Sequence, residues 1–344
     1  MPGESIRFLN RAAVAACLSK LDAAEVVART LREHTLGRTE LPAEGYLSWS
    51  NSVGAYSRAI AMLGAVPSGD AMAYGMKLIN ASVSNPQRGL ERAGGLSFAF
   101  DSETARPSVV AEAGLLSAVR TAAYTVVSLR HLGPESFDAV SLIGAGTLAR
   151  VHLEAIAEAF PAVRRAYVFD LEPARARAFR EDFRTRRPDL EVSVVAGARQ
   201  AAGAAPVLIT ATTSNDPYIP AGWPAAGSFV AHVSLDDLTE DAFRSAEAIF
   251  VDDVELVREN PRRVMGRLLQ EGSLATVDEP GRPDARVIDG SLGEVLIGRR
   301  AAQRPQQGYV ISNPFGMAVL DVALIHAVAQ VARATGAGQL LELL

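Results

Sequence analysis

The stretch AVSLIGAGTLARVHLEAI, residues 139–156, decides the fold of this chain. Its apolar, β-branched beginning predicts a buried strand, and the helical spacing of apolar residues in its second half predicts a helix. Gly144, Gly146 and Ala149 stand between the two in a G-x-G-x-x-A pattern. The first glycine permits a tight turn, the second lets the backbone approach a pyrophosphate, and the alanine allows close packing of helix on strand. The stretch therefore predicts a dinucleotide-binding turn with phosphates at the helix N-terminus, the alternative being a glycine turn without a ligand.

The next predicted strand, RAYVFD, ends at Asp170. A carboxylate at this position binds a ribose hydroxyl and repels a 2′-phosphate. We therefore predict NAD as the cofactor in preference to NADP, while the nearby Arg175 keeps NADP open. The other predicted cofactor contacts lie in the glycine turn and at the ends of later strands: Ala145, Thr147, Leu148, Thr212, Thr213 and Ser234.

Alternating short strands and helices from about residue 140 onward are typical of a parallel sheet with crossover helices. The ends of the chain differ from this pattern. They predict helices near 12–34, 109–132 and 316–332, and strands around 56–63, 70–80 and 94–100. We predict an α/β protein in which a Rossmann-type doubly wound parallel sheet is inserted into an α+β domain formed by both chain ends. The expected boundaries are 1–136 plus 315–344 for a substrate-binding and dimerisation domain, and 137–314 for an NAD-binding domain.

The composition limits the partners and the compartment. The 344 residues carry a net charge of −5 with both signs interspersed, so no surface for nucleic acid or anionic lipid is predicted. Cys17 is the only cysteine, which excludes an intrachain disulfide and fits a reducing compartment. No apolar run is expected to approach the roughly 20 residues of a membrane span. We predict a cytoplasmic protein without membrane or nucleic-acid partners.

Lysine is almost absent from this chain. Of 34 cationic residues only Lys20 and Lys77 are lysines, and Lys77 lies in the apolar run AMAYGMKLINASV. Burial lowers the pKa of a lysine and makes it an acid/base group or an anchor for a carboxylate, whereas the alternative is a surface lysine. Arg58 and Arg120 also interrupt apolar stretches and are candidates to bind a carboxylate. An ordinary surface arginine and a structural ion pair, respectively, are the alternatives.

Asp236 and Asp237 follow a predicted strand at the nucleotide-binding edge. One of them is a candidate catalytic acid that balances Lys77, with solvated helix capping as the alternative. The histidines lack the spacing of metal ligands, so no metal is predicted: His34, His131, His152, His232 and His326.

Several segments, in this order, resemble the ornithine cyclodeaminase / mu-crystallin family: KLINA, EAGLLSAVRTAAYTVVSLRHL, SLIGAGTLA, SLGEVLIGRR and NPFGMAVLDVA. The resemblance covers most of the chain. It implies an N-terminal substrate and dimerisation domain completed by the C-terminal helix, a Rossmann domain, and a homodimer. It further implies that Arg58, Lys77 and Arg120 bind the substrate carboxylate, that Lys77 lies near the reacting centre, and that Thr121 contacts a cofactor phosphate.

Within that family, NPQRGLERAGGLSFAFDSET resembles the N-(2-amino-2-carboxyethyl)-L-glutamate dehydrogenases, which form 2,3-diaminopropionate for siderophores and peptide antibiotics. The implied reaction transfers hydride from the glutamate Cα to NAD⁺ and gives an imine that water opens to 2-oxoglutarate and 2,3-diaminopropionate. Arg88 and Arg92 are candidates for the additional carboxylate. The loop VSLDDLTED departs from the G-G-D-x-P-G-like loop of ornithine cyclodeaminases, which makes ornithine cyclisation less favoured.

Three alternatives remain open at the level of sequence. One is another amino-acid reaction of the family: ornithine cyclisation, ketimine reduction, or an alanine or opine-type dehydrogenase. The second is a mu-crystallin-type protein that binds dinucleotide without turnover. The third is a Rossmann-fold protein whose first domain binds only a partner chain.

Overall fold

The computed structural model describes residues 4–279 and 281–343. The chain forms two compact units, one made of residues up to Arg120 together with those from Met317 onward, the other of Thr121–Gly316. We refer to these as the terminal unit and the inserted unit. Their first boundary falls inside a long helix, whereas the sequence suggested a boundary after that helix, at residue 136.

The N-terminal part of the terminal unit contains two helices and six strands, and the long helix α3 (Ala113–Leu132) follows them. In chain order these elements are β1 (Ser5–Leu9), α1 (Arg11–Leu18), α2 (Ala23–Thr35), β2 (Gly45–Ser50), β3 (Tyr56–Ser68), β4 (Ala71–Ser82), a 3₁₀ turn (Pro86–Arg88), β5 (Ala93–Phe100), β6 (Pro107–Glu112) and α3 (Ala113–Leu132).

The inserted unit continues with alternating strands and helices: β7 (Ala139–Ile143), α4 (Thr147–Ala159), β8 (Arg165–Phe169), α5 (Pro173–Arg186), β9 (Glu191–Val194), α6 (Ala198–Ala202), β10 (Val207–Thr210), β11 (Ser228–His232), α7 (Glu240–Arg244), β12 (Ala248–Val251), α8 (Val254–Glu259), α9 (Val264–Gln270), β13 (Leu274–Ala275), β14 (Arg286–Val287), β15 (Gly290–Ser291), α10 (Leu292–Leu296) and β16 (Tyr309–Asn313). The chain then returns to the terminal unit with α11 (Ala318–Thr335) and β17 (Gln339–Glu342).

The large sheet of the inserted unit has eight strands in the order β15-β12-β16-β11-β10-β7-β8-β9. Each neighbouring pair in it is parallel. The chain builds outward from β7 through β8 and β9, and then crosses back to place β10 on the other side of β7. This reversal is the topological switch point at which doubly wound sheets bind dinucleotides, and it confirms the predicted fold class.

The sheet of the terminal unit has seven strands in the order β17-β1-β6-β5-β4-β3-β2. Its neighbours are antiparallel except for β1 and β6. Because β1 pairs with β17, segments from the two ends of the chain lie side by side in this sheet. The α+β character of this unit, to which both chain ends contribute, agrees with the prediction.

Helix α11 covers one face of this sheet. Gly64 and Gly75 face each other across β3 and β4, and a Cβ added at Gly64 would lie 3.3 Å from Val319 of the helix. A Cβ added at Gly75 would lie 3.4 Å from Val322 and 2.5 Å from the carbonyl oxygen of Phe98. The two glycines therefore allow the helix to pack closely on the strands.

The same helix corrects one expectation about apolar runs. Among the described residues, one helix is long enough and apolar enough to cross a membrane, judged by length and composition. This helix is Ala318–Thr335, with a mean hydropathy of 1.4. However, 61% of this stretch is buried inside the protein, as in the core helix of a globular unit. Its apolar character is explained by packing on the sheet.

The opposite face of the sheet, which we call the open face, carries apolar side chains that α11 does not cover. The register of β3, β4 and β5 places six apolar residues of this face side by side. These six residues are Leu63, Tyr74, Met76, Leu78, Leu96 and Phe98. Leu63 is 43% exposed, Tyr74 38% and Leu96 37%, so much apolar surface on this face remains in contact with water.

The helix predicted at 109–132 begins later, at Ala113. Residues Pro107–Glu112 form β6 instead, because their β-branched valines pair between β1 and β5. The Glu112 carboxylate then accepts hydrogen bonds from the backbone N–H groups of Gly114 (2.7 Å) and Leu115 (3.0 Å), which satisfies donors at the helix start. The helix predicted near 12–34 is likewise divided, and Asp22 caps its second part by accepting from the Glu25 N–H.

Candidate functional site

The glycine turn of the inserted unit has the geometry of a phosphate-binding turn. Gly144 has φ +97°, and a Cβ added there would lie 2.4 Å from the carbonyl oxygen of Ala211, so only glycine fits. Gly146 precedes α4, and a Cβ added there would meet no atom within 4 Å. The space beside Gly146 is therefore open at the N-terminus of a helix, where backbone amides attract phosphate. These residues fit the pyrophosphate of NAD.

Asp170 lies directly beside this turn. Its carboxylate accepts hydrogen bonds from the backbone N–H of Ala145 at 2.9 Å and of Glu172 at 2.9 Å. These bonds orient the carboxylate at the end of β8, where a ribose hydroxyl is expected. Arg175, which had kept NADP open, forms an ion pair with Glu172 at 3.0 Å.

A buried polar network holds the strand ends on the other side of the switch point. Asp237 is fully buried and accepts hydrogen bonds from Thr212 Oγ1 (2.5 Å), Tyr218 OH (3.1 Å) and Ser234 Oγ. Ser234 Oγ also lies 3.0 Å from Thr210 Oγ1. Asp237 therefore links the loops after β10 and β11, in which predicted cofactor residues lie.

The contacts of Asp236 stabilise the fold of the inserted unit. Its carboxylate pairs with Arg263 and accepts a hydrogen bond from the Val264 N–H (3.0 Å), which caps α9. The expectation that Asp236 or Asp237 balances Lys77 is wrong, because the counter-ion of Lys77 is Asp321. Asp236 caps a helix, as the alternative interpretation has it, but its side chain is buried and not solvated.

A buried ionic cluster in the terminal unit contains Lys77, Arg120 and Asp321. Lys77 Nζ donates to Asp321 Oδ2 at 2.7 Å, and Arg120 Nε donates to Asp321 Oδ1 at 3.3 Å. Lys77 is 3% exposed, and Arg120 and Asp321 are each 5% exposed. The three elements β4, α3 and α11 thus bring together two cations and one carboxylate away from bulk water.

The cluster has an excess of positive charge. Burial lowers the pKa of Lys77, Asp321 opposes this effect, and the charge of Arg120 adds to it. A buried cation is stable only when it is paired or hydrogen-bonded, and here one carboxylate serves two cations. A second anion, such as the carboxylate of an amino acid, would complete the charge balance.

Further polar groups share the face of the sheet on which Lys77 lies. Ser97 is opposite Lys77 on β5, and its buried hydroxyl has no hydrogen-bond partner among the described residues. Arg58 lies on the same face of β3, half-buried. The pKa of the Glu44 carboxyl is raised by partial desolvation and by Asp321, while Lys77, Arg120 and Arg58 oppose the rise. Because Glu44 is an exposed residue, solvent weakens these effects.

The remaining predicted residues are placed as follows. Arg88 is exposed on the 3₁₀ turn, and Arg92 precedes β5. Thr121 is buried and begins the inserted unit, Thr147 and Leu148 form the first turn of α4, and Thr213 is exposed after β10. No group of histidine, cysteine and acidic side chains able to hold a metal is present among residues 4–279 and 281–343.

Sequence reasoning missed Asp321, Ser97 and Glu44. Asp321 lies 244 residues from Lys77 in the chain, so no local pattern connects the two. A signal was nevertheless available, because Asp321 is the only acid in the apolar run AVLDVALIHAVAQVA. An acid in the middle of a buried helix face needs a partner, just as Arg120 does in its own helix.

Residues 6–336 match the model of the ornithine cyclodeaminase/mu-crystallin family. The chain belongs to this family. Among its relatives, the N-((2S)-2-amino-2-carboxyethyl)-L-glutamate dehydrogenase of Staphylococcus aureus is 28% identical over 78% of this chain and 77% of its own length. The solved structure of CmnK is 55% identical, covers 99% of each chain and has a TM-score of 0.92.

Other members of the ornithine cyclodeaminase/mu-crystallin family have the same fold. An archaeal alanine dehydrogenase dimer with bound NAD is 23% identical, covers 99% of this chain and 100% of its own, and has a TM-score of 0.84. The chain is an oxidoreductase of the amino-acid dehydrogenase and reductase type, which confirms the predicted enzyme class.

Proposed function

We propose that this enzyme oxidises N-(2-amino-2-carboxyethyl)-L-glutamate with NAD⁺ and releases 2,3-diaminopropionate and 2-oxoglutarate. The observation that carries the proposal is the buried Lys77–Arg120–Asp321 cluster, whose excess positive charge suits a substrate carboxylate. The dehydrogenase of S. aureus, which is named for this substrate, supports the choice among amino acids. Use of the product for siderophores or peptide antibiotics, and a cytoplasmic location, belong to the same proposal.

The cluster can bind the glutamate α-carboxylate in a fixed orientation. The ammonium of Lys77 has further N–H donors beyond the one used by Asp321, and so has the planar guanidinium of Arg120. The unpartnered hydroxyl of Ser97 supplies another polar contact on the same face. Arg58 would assist in binding this carboxylate, while Arg88 and Arg92 would meet the other carboxylates of a substrate that has three.

The reaction consists of oxidation followed by hydrolysis. NAD⁺, when bound at the glycine turn, would supply the acceptor for the hydride of the glutamate Cα. The substrate ammonium releases one proton, its C–N bond becomes an imine, and addition of water yields the ketone of 2-oxoglutarate and the amine of 2,3-diaminopropionate. Lys77 would orient the carboxylate beside this carbon. Burial lowers the pKa of Lys77, which makes its ammonium a readier proton donor.

The test is to incubate the purified protein with NAD⁺ and N-(2-amino-2-carboxyethyl)-L-glutamate while following NADH absorbance and 2-oxoglutarate. We expect the two products in equal amounts. Lys77→Ala should reduce kcat/KM by about 10²- to 10⁴-fold, the range typical of a residue that orients or protonates substrate. Lys20→Ala is the matched control, because Lys20 is exposed and is the only other lysine.

Parallel incubations separate the alternatives. NADH formation without 2-oxoglutarate would contradict the proposed reaction. Turnover of ornithine, reduction of Δ1-pyrroline-2-carboxylate, or oxidation of alanine in place of the proposed substrate would assign the enzyme to another activity of its family. Binding of NADH without turnover of any of these compounds would favour a protein of mu-crystallin type.

We propose that the enzyme is a homodimer and that a second copy covers the open face. This face combines the exposed side chains of Leu63, Tyr74 and Leu96 on adjacent strands. Apolar patches of this kind on a sheet mark interfaces between proteins. The archaeal alanine dehydrogenase of the same fold was solved as a dimer, which supports a second copy as the occupant.

A further inference from the structure

We propose that Asp321 is a positioning residue that keeps Lys77 charged and holds Lys77 and Arg120 together, oriented for the substrate carboxylate. The inference rests on the proposed function for the identity of that substrate. It goes further by assigning a role to a residue of the C-terminal helix α11, which neither the glycine turn nor the basic residues of the N-terminal strands would suggest. Asp321 itself would not touch the substrate.

The geometry shows one carboxylate divided between two cations. Oδ2 of Asp321 accepts from Lys77 Nζ at 2.7 Å, and Oδ1 accepts from Arg120 Nε at 3.3 Å. Each oxygen therefore fixes one cation, and the two cations are held at a separation set by the width of one carboxyl group. A substrate carboxylate is recognised by a similar pair of donors, so Asp321 places these donors for it.

The charges around Lys77 explain why a carboxylate is needed there. The side chain of Lys77 is buried, which disfavours the ammonium, and Arg120 of α3 disfavours it further. Asp321 of α11 and, more weakly, Glu44 before β2 favour it. Arg58 of β3 also bears on this region through its charge interaction with Glu44. Ser117 Oγ, 3.5 Å from Lys77 Nζ, is neutral. Removal of Asp321 would leave mainly effects that discharge the lysine.

A purely structural ion pair is a weak explanation for this cluster. Buried ion pairs are often replaced by apolar residues without loss of stability, and helix α11 is otherwise apolar around Asp321. Asp321 also leaves N–H donors on both Lys77 and Arg120 unused, and a substrate carboxylate can accept from them.

The direct test is a titration of Lys77 that needs no substrate. In protein labelled with ¹³C-lysine only Lys20 and Lys77 give lysine signals, and exposed Lys20 serves as the internal reference. In Asp321→Asn we expect the titration midpoint of Lys77 to move at least about one pH unit downward, while that of Lys20 stays constant. Equal midpoints for Lys77 in the two proteins would overturn the proposal.

Kinetics supply the second readout. For N-(2-amino-2-carboxyethyl)-L-glutamate, KM of Asp321→Asn at pH 8 should rise at least about tenfold. The difference should narrow as the pH is lowered and Lys77 regains its proton. The NADH dissociation constant should remain unchanged. A KM ratio that does not vary with pH would indicate a merely structural role and contradict the proposal.

Asp321→Glu keeps the test decisive if the asparagine variant does not fold. The longer side chain retains the negative charge but displaces both cations. We expect Lys77 to titrate as in the wild type while KM rises, which separates charge from position. An unchanged KM in this variant would refute a positioning role. If the wild-type enzyme does not turn over the substrate, the proposed function fails, but the lysine titration still tests Asp321.

Discussion

At the scale of single residues, Gly146 lies beside open space at the start of α4. This space predicts how a larger side chain at Gly146 would affect cofactor binding. Gly146→Asp adds a side chain where no protein atom lies within 4 Å, so the fold should tolerate it. Its negative charge would oppose the pyrophosphate. We expect the NADH dissociation constant to rise more than about a hundredfold, or ~3 kcal/mol, measured by fluorescence titration.

Gly197→Asp is the matched control for this variant. Gly197 also precedes a helix of the inserted unit, and a Cβ added there meets no atom within 4 Å. Aspartate is a favourable residue before a helix, so this variant should fold and bind NADH normally. Equal NADH affinity of both variants would contradict the placement of pyrophosphate beside Gly146.

Asp170 leads to a prediction about cofactor choice. Its carboxylate, oriented by the Ala145 and Glu172 N–H groups, would repel the 2′-phosphate of NADP. In Asp170→Ser the preference for NAD⁺ over NADP⁺, measured as the ratio of kcat/KM values, should fall by about tenfold or more, or ~1.4 kcal/mol. An unchanged ratio would mean that another group selects the cofactor.

At the scale of elements, the packing of α11 on the sheet depends on Gly75. In Gly75→Ala the new Cβ would lie 2.5 Å from the Phe98 carbonyl oxygen and 3.4 Å from Val322, so backbone has to shift. We expect a loss of about 1–3 kcal/mol in the free energy of unfolding, measured by denaturant titration. Gly94→Ala on β5, where no atom lies within 4 Å, should be close to neutral. A similar loss in both variants would argue against close helix packing as the cause.

Comparison of the predicted helices and strands with the observed ones shows which of them the sequence patterns determine. The glycine turn and the parallel strands were predictable because their signals are local: β-branched runs, helical periodicity and a fixed glycine spacing. The start of α3 was not, because pairing between β1 and β5 and capping by Glu112 outweighed the helical pattern.

Of the buried ionic cluster, only the two cations were predictable from the sequence. Lys77 and Arg120 attract attention because charged residues are rare in apolar segments, and both are buried as expected. The counter-ion of Lys77 was assigned wrongly to Asp236 or Asp237, whereas the structural ion pair considered for Arg120 is present with Asp321. The contact with Asp321 depends on how α11 packs on the sheet, which no local sequence pattern reports.

At the scale of the whole molecule, the open face predicts the oligomeric state. Leu63→Arg places a charge among Leu96, Tyr74 and their neighbours, which would be costly inside an interface and harmless on a free surface. We expect the wild type to be a dimer and this variant a monomer in size-exclusion chromatography with light scattering. Leu36→Arg, at a leucine of similar exposure (42%) after α2, is the control and should stay dimeric. A monomeric wild type would exclude the dimer.

The pairing of Lys77 with a residue 244 positions later has a consequence for biosynthesis. A ribosome synthesises the whole inserted unit, Thr121–Gly316, before it adds the helix that carries Asp321. The inserted unit can therefore fold first. Strands β3, β4 and β5 remain without helix α11, which covers them, and Lys77 remains without its counter-ion Asp321. Chains truncated after Gly316 and released from the ribosome should accordingly be cut by protease within the first 120 residues and be resistant within the inserted unit. The order of folding would then be the reverse of the usual progression from the N-terminus.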